Sequence, residues 1–243
     1  MPRYIEKNNY FVSMKKQVFI YGSGRHTVPF LRYMAEATGK QRPNICFIPT
    51  ASGDDKDYCI RFYEVCKQIN VVPHVLEVWV NSYEHKETFA EIISRMDAIV
   101  VGGGNTLNML AIWKAQGIDV ALQKAYDNGT VMGGGSAGSL CWFNGGTTDS
   151  RPAQLSIVRG MGFIDKSHCP HYNSEPTRRP LYHENILLEK LSEGYACDDK
   201  SAIHFINGEV HTSISLDKEN HSYHVYKKEG KIIEDKLRAK ILK

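Results

Sequence analysis

The sequence predicts an α/β fold in which a parallel sheet, mixed at one edge, carries helices on both faces. Through the first two-thirds of the chain, short β-branched runs alternate with segments of helical period. Two of these runs end in glycine-rich turns, at 102–104 and 133–135. Beyond residue 195 the period changes to two, which predicts antiparallel strands at the C-terminal end. Strands that alternate with helices form parallel sheets, so the three observations together favour this fold class.

Most of the predicted strands are short apolar runs that glycine or proline closes, and the predicted helices repeat apolar side chains at helical spacing. Gly22 follows the first run, for example, and Phe30, Leu31 and Met34 share one face of the segment that comes next. The predicted strands cover 17–21, 44–49, 71–80, 96–101 and the run that begins at 131. The predicted helices cover 28–37, 54–69, 86–96, a segment from 107, and 119–127.

The last hundred residues have a different texture. Residues 144–180 are rich in Gly, Ser, Thr, Pro and Arg without a sustained period, so we expect a long irregular stretch, and such stretches are usually functional. Alternating segments then predict strands near 202–206, 209–214, 223–226 and 231–233, with hairpin turns at Asn207-Gly208 and Glu229-Gly230. No linker divides the chain, which predicts one domain over 1–243 with 1–13 as a candidate extension.

Composition excludes several classes of function. The 243 residues are 42% hydrophobic and 23% charged with a net charge of +3, which is ordinary for a globular protein and too weakly basic to indicate nucleic acid. No run approaches the roughly 20 apolar residues that span a bilayer, so we expect no membrane partner. The start of the chain lacks the apolar core of a signal peptide, and six cysteines form no C-x-x-C pair. A cytoplasmic protein with reduced thiols is therefore expected.

The most informative motif is Gly134-Gly135-Ser136-Ala137-Gly138, which matches the G-x-S-x-G pattern of a nucleophile elbow. A sharp turn from strand to helix strains the serine and exposes its hydroxyl at the carboxyl end of the sheet. The N–H groups that begin the helix then point at the serine and favour a developing oxyanion. Such turns also bind phosphates or merely allow close packing, so the motif alone is a moderate signal.

A second turn of the same kind follows the apolar run 96–101 and reads Gly102-Gly103-Gly104-Asn105-Thr106. Two strand–glycine–helix turns in one sheet can face each other across the carboxyl ends of the strands, where α/β folds place their ligands. The pair therefore strengthens the prediction of an enzyme.

A serine nucleophile needs a base, and the base needs an orienting acid. His171 stands in the irregular stretch after a proline and is the preferred base, with His168 and His26 as competitors. Two acids compete, because Asp149 gives the chain order Ser–Asp–His and Asp199 gives Ser–His–Asp. Composition and spacing do not decide between them. No helical H-x-x-x-H or H-E-x-x-H spacing predicts a metal site, and we expect no metal and no cofactor.

These segments in this order resemble the serine peptidase family that contains dipeptidase E (aspartyl dipeptidase) and cyanophycinase. The matching segments are 101–107, 134–138, 147–149, 170–172 and 198–199. The resemblance runs from about the first strand to the region of Asp199, and the extension before Met14 lies outside it. It implies a fold similar to class I glutamine amidotransferases.

The resemblance also implies roles for residues of this chain. Ser136 would be the nucleophile, His171 the general base and Asp199 the acid, at a position where the best-known members have Glu; Asp149 matches a second acidic position and stays the alternate. Backbone N–H groups of Gly104 and Ala137 would form the oxyanion hole.

The same resemblance implies that the partner is a small peptide substrate. Dipeptidase E reads an N-terminal aspartate with an arginine after the histidine, so substrate contacts are expected at Arg178, Arg179 and Asn105. The implied activity is a serine dipeptidase for peptides with N-terminal Asp. The alternatives are isopeptide cleavage as in cyanophycinase, and a non-catalytic domain that binds a small ligand.

Overall fold

The computed structural model describes residues 15–23, 27–79 and 86–242. The strands of this part of the chain are β1 (Gln17–Tyr21), β2 (Asn44–Ile48), β3 (Val72–Val75), β4 (Ala98–Val101), β5 (Val131–Gly135), β6 (Phe143–Thr148), β7 (Ser156–Arg159), β8 (Ile164–Cys169), β9 (Gly194–Cys197), β10 (Ser201–Ile206), β11 (Glu209–Ser215), β12 (Ser222–Lys228), β13 (Lys231–Lys236) and β14 (Ala239–Ile241). The helices are α1 (Val28–Ala37), α2 (Lys56–Cys66), α3 (Phe89–Ser94), α4 (Thr106–Gln116), α5 (Ile118–Asp127), α6 (Ala137–Leu140) and α7 (Arg178–Leu187).

The larger sheet has eight strands in the order β14-β11-β10-β1-β5-β4-β2-β3. From β1 to β3 every pair is parallel, and β10 joins β1 antiparallel. This is the predicted α/β architecture with a mixed edge. Val101 at the end of β4 pairs with Gly134 near the end of β5, so the two glycine-rich turns leave neighbouring strands at one edge of the sheet.

Helices cover both faces of this sheet, as the sequence predicts. Side chains alternate along β1, where Phe19 packs in the apolar cluster of one face and Ile20 in the cluster of the other. Phe62 of α2 belongs to the first cluster, and Trp113 of α4 and Leu122 of α5 belong to the second. All five side chains are fully buried, so the sheet is the centre of the hydrophobic core.

A second sheet of six strands, in the order β13-β12-β9-β8-β6-β7, corrects one prediction. The expected irregular stretch at 144–180 in fact contains most of β6, all of β7 and β8, and the start of α7. Its strands escape the search for apolar alternation because they bury polar and glycine residues. Thr147 and His168 are buried, and a side chain at Gly146 would place its Cβ 1.8 Å from the carbonyl oxygen of His168.

The C-terminal strands form close to their predicted positions but divide between the sheets. β10 and β11 extend the larger sheet, whereas β12 and β13 form an antiparallel hairpin at the edge of the second. The predicted strand 71–80 and helix 86–96 are shorter than expected, and part of the former lies outside the described residues, as does the candidate extension 1–13. Within the described ranges, no helix combines the length and apolarity that crossing a membrane requires.

Candidate active site

Ser136 lies on a strained turn between β5 and α6. Its backbone angles are φ 56° and ψ −117°, a conformation that costs a residue with a Cβ about 1–3 kcal/mol. The glycines on either side allow the turn to approach β4: a Cβ at Gly134 or Gly138 would lie 2.3 Å or 2.0 Å from the carbonyl oxygen of Val101. The sequence therefore folds here into the sharp strand-to-helix turn that the motif predicts.

His171 contacts Ser136 from the loop after β8 of the second sheet. Asp199 contacts His171 from the loop that joins β9 of the second sheet to β10 of the larger sheet. Nε2 of His171 lies 2.8 Å from Oγ of Ser136, and Nδ1 lies 2.7 Å from Oδ1 of Asp199. His171 follows β8 after a proline and has φ 55°, and Asp199 stands between β9 and β10. The N–H of Asp199 donates to Oδ1 of Asn173 at 3.2 Å, which ties the two loops together.

The contacts of His171 determine which ring nitrogen of its neutral imidazole carries the proton. A carboxylate can only accept, so the proton of a neutral imidazole belongs on Nδ1, facing Asp199. Nε2 then presents a lone pair to the hydroxyl of Ser136. The side chains of His171 and Asp199 are 18% and 36% exposed, so the pair borders solvent, where a substrate has access.

The other acids that the sequence offers lie elsewhere. Asp149 is 67% exposed, and Oδ1 is 3.7 Å from a guanidinium nitrogen of Arg178. Asp198 is buried, and Oδ2 accepts the N–H of His221 at 2.7 Å. Burial raises the pKa of Asp198 above its ordinary value. In this structure the acid beside His171 is Asp199.

His168, the competing histidine that the structure describes, does not contact the serine hydroxyl. His168 is fully buried, with Nε2 2.9 Å from Oγ of Ser139 and Nδ1 2.9 Å from the carbonyl oxygen of Tyr195. Burial lowers its pKa to about 3, so it is neutral at physiological pH and has a structural place under the elbow. His26 lies outside the described residues.

The second glycine-rich turn is held from both sides. The N–H of Gly103 donates to the hydroxyl of Tyr58 at 3.2 Å, and the N–H of Asn105 donates to the carbonyl oxygen of Ala51 at 2.8 Å. Gly104, between them, has φ 137°, and a Cβ there would lie 2.2 Å from the same Ala51 oxygen. The orientation of the Gly104 amide is therefore determined by its neighbours on α2 and in the loop after β2.

Across from this turn, Ala137 is the first residue of α6, a position whose N–H has no acceptor within its own helix. Sequence reasoning does not find Tyr58, because its spacing places it on the same face of α2 as the buried Phe62. A hydroxyl-bearing ring on such a face, close in space to a glycine-rich turn, is not visible in the periodicity.

Arg178, Arg179 and Asn105, the expected substrate contacts, are all engaged within the protein. Arg178 is buried and donates to Glu175 at 2.7 Å and to the carbonyl oxygen of Thr147 at 3.0 Å.

Arg179 donates to Glu234 at 2.6 Å and lies over the ring of Tyr172. Asn105 caps α4 through the N–H of Asn108 and donates to the carbonyl oxygen of Ser150. Within the described part of the chain, no group of three or more His, Cys, Asp or Glu side chains has the arrangement of a metal site.

The chain is similar in sequence to known peptidases. The sequence model of peptidase family S51 matches residues 18–213. The uncharacterized peptidase YgaJ of Bacillus subtilis (strain 168) is 38% identical over 235 residues, which are 93% of this chain and 99% of the relative. Peptidase E of Haemophilus influenzae (strain PittGG) is 24% identical over 194 residues, 75% of this chain and 79% of the relative.

Two solved structures have a similar fold. A putative peptidase E from Listeria monocytogenes EGD-e has a TM-score of 0.63 at 21% identity and covers 84% of this chain with 100% of its own. A peptidase from an acI-B1 Actinobacterium has a TM-score of 0.71 at 17% identity, covering 93% of this chain with 96% of its own.

Proposed function

We propose that this chain, which belongs to peptidase family S51, is a serine peptidase that hydrolyses short peptides. The proposed substrates are in particular dipeptides with N-terminal aspartate. The observation that carries the proposal is the continuous hydrogen-bonded series from Ser136 through His171 to Asp199, with distances of 2.8 Å and 2.7 Å. In the proposed mechanism Nε2 of His171 takes the hydroxyl proton as Oγ of Ser136 attacks the peptide carbonyl.

The later steps use the two turns at the edge of the sheet. The tetrahedral oxyanion would be held by the N–H groups of Gly104 and Ala137, and a donor of this kind contributes about 3–4 kcal/mol to lowering the barrier. His171 then returns the proton to the leaving amine, and an acyl-enzyme remains on Ser136. Water attacks this ester with the same histidine as base, which regenerates the hydroxyl.

The preference for N-terminal aspartate draws support from the charges around Arg178. Asp-Xaa carries a carboxylate and an α-ammonium close together, so it needs a cation and an anion side by side. Arg178 has two carboxylates beside it, Glu175 at 2.5 Å and Asp149 at 3.7 Å. The N–H of Glu175 donates to the carbonyl oxygen of His171 at 3.2 Å, so the carboxylate beside Arg178 belongs to the loop that carries the proposed base.

Of the two arginines, Arg178 is the better candidate. Arg179 is paired with Glu234 and lies over Tyr172, and its ion pair faces the C-terminal hairpin rather than Asp149 and Glu175. An incoming aspartate would compete with Glu175 for the Arg178 guanidinium, which predicts selectivity more than tight binding.

The test is hydrolysis of a panel of peptides, with free and with blocked termini, by wild type and by Ser136→Ala. The panel holds Asp-Xaa, Glu-Xaa, Ala-Xaa and β-linked Asp-Arg. We expect turnover of Asp-Xaa that disappears in Ser136→Ala. Serine-dependent turnover of the β-linked substrate alone would move the assignment to an isopeptide hydrolase, and no serine-dependent turnover would favour a ligand-binding domain.

Matched arginine variants then test the specificity. Arg178→Gln is expected to lose the preference for Asp-Xaa over Ala-Xaa, whereas Arg179→Gln keeps it. Equal preference in both variants would remove Arg178 from the substrate site. We also propose a cytoplasmic location, which the six buried, unpaired cysteines support.

A further inference from the structure

A groove of about 960 Å³ lies between α4, the β6–β7 pair and the residues after α7. Four basic side chains line it, and no acidic side chain does. These four are Lys114, Arg151, Arg159 and Lys190. A chain with a net charge of only +3 therefore concentrates positive charge in one concave surface.

Three of these cations form no ion pair within the described residues. Lys114, Arg159 and Lys190 are exposed, and none of them takes part in an ion pair there. Elsewhere on the surface, lysines such as Lys16 and Lys40 each have a carboxylate oxygen at 2.6 Å. The groove thus keeps its charge available for an anionic ligand.

The fourth cation and the strand beside it give the groove a shape. Arg151 donates to Oγ of Ser156 at 2.9 Å and to the carbonyl oxygen of Ile157 at 3.2 Å, so its guanidinium is held along β7. In the described part of the second sheet, β7 is a terminal strand with β6 as its neighbour. An extended peptide can add to such an edge through main-chain hydrogen bonds.

The rest of the lining favours a peptide over a nucleic acid as the ligand of this groove. Leu107, Leu110, Ile157 and Met161 contribute aliphatic surface, and no aromatic side chain lines the groove. Proteins that bind single-stranded nucleic acid stack its bases on aromatic rings, which this surface does not provide. Aliphatic surface, separate cations and a strand edge match an extended chain of alternating acidic and aliphatic residues.

From these features we propose that the groove is a docking site for an extended acidic segment of another protein. Its carboxylates pair with Lys114, Arg159 and Lys190, and its aliphatic side chains cover Ile157 and Met161. The positive surface ends towards α5, where a neighbouring groove shares Lys114 and Arg159 and adds two carboxylates, those of Asp119 and Asp127. This proposal does not depend on the proposed hydrolysis.

The test measures binding of a fluorescent eight-residue peptide of alternating Glu and Val, blocked at both ends, by anisotropy. The groove variant is Lys114→Ala/Arg159→Ala/Lys190→Ala. The matched control is Lys228→Ala/Lys231→Ala/Arg238→Ala, which removes two lysines and one arginine from exposed positions on β12, on β13 and between β13 and β14. The same peptide with Lys in place of Glu tests the sign of the charge.

We expect the acidic peptide to bind wild type and the control alike, and to bind the groove variant about tenfold more weakly, the combined effect of three exposed ion pairs. Turnover of the panel substrate is expected to stay unchanged in the groove variant. Equal weakening in both triple variants would reduce the effect to net charge and overturn the proposal. Absence of binding, equal binding of the Lys peptide, or tighter binding of a single-stranded oligonucleotide would also overturn it.

Discussion

Replacing Asp199 with asparagine removes a negative charge from beside His171 while keeping the size of the side chain. In wild type, Oδ1 of Asp199 lies 2.7 Å from Nδ1 of His171. In the proposed mechanism, this carboxylate stabilises the imidazolium that forms when Ser136 loses its proton. The loop should keep its place in the variant, because its anchor to Asn173 is the backbone N–H of residue 199.

The size of the effect follows from the geometry. Two unit charges about 4 Å apart near a protein surface interact by about 4 kcal/mol. The Asp199 side chain is 36% exposed, so water screens part of this interaction. We take about 2–4 kcal/mol for the lost stabilisation, which corresponds to a rate roughly 30- to 1000-fold lower at 1.36 kcal/mol per factor of ten.

The assay is steady-state hydrolysis of the best dipeptide of the panel. A fall in kcat with little change in KM is expected, because in the proposed mechanism Asp199 acts through His171 and stabilises a charge that is absent from the ground state. Circular dichroism and a thermal melt of the variant establish that it is folded.

Two neighbouring acids are the controls. Asp149→Asn should keep kcat within a few-fold, since its carboxylate faces Arg178 at 3.7 Å. Asp198→Asn should also keep kcat within a few-fold, because its carboxylate is buried and accepts the N–H of His221. Wild-type kcat in Asp199→Asn together with a large loss in Asp149→Asn would refute the assignment.

Three further outcomes are expected. Tyr58→Phe removes the acceptor for the N–H of Gly103 and should lower kcat about tenfold. KM and the melting temperature should stay nearly unchanged, and steady-state kinetics together with a thermal melt measure these quantities. Gly138→Ala forces a Cβ to 2.0 Å from the Val101 oxygen and should cost about 1–3 kcal/mol or more in urea unfolding; a neutral result would contradict the packing of the elbow. Burial lowers the pKa of His168 to about 3, against about 6.5 in an unfolded chain. As the pH falls, the unfolded state therefore takes up the proton before the folded state does. The free energy of unfolding should then decrease as the pH drops below about 6.5. Urea unfolding at pH 7 and pH 4.5 should show a smaller pH dependence in His168→Gln, and an equal dependence would assign it to other groups.

The larger sheet and the elbow could be predicted because their signals are local. β1 and α1 have the predicted bounds, since a β-branched run closed by glycine and an amphipathic run carry their own periodicity. β6 and β8 could not be predicted in this way. Their buried Thr147 and His168 are compatible with a core only because Cys169, Ser139 and Tyr195 supply hydrogen-bond partners from distant positions.

The site residues also divide into those with a local sequence signal and those that depend on distant contacts. The motif around Ser136 is contiguous, and the family resemblance adds the preference for Asp199. The contact of Asp199 with His171, 28 residues apart, depends on β8, β9 and the loops that follow them. Likewise, the two arginines look equivalent in sequence, but one is buried beside Glu175 and the other is paired with Glu234.

By itself, the sequence determined the alternation of strands and helices and the strained glycine–serine turn, because backbone sterics and side-chain period act between near neighbours. Tertiary structure alone decided which acid meets His171, what each arginine contacts, and where unpaired lysines gather beside β7. Those outcomes depend on distances of a few ångströms between segments far apart in the chain. Such distances arise only when the two sheets pack.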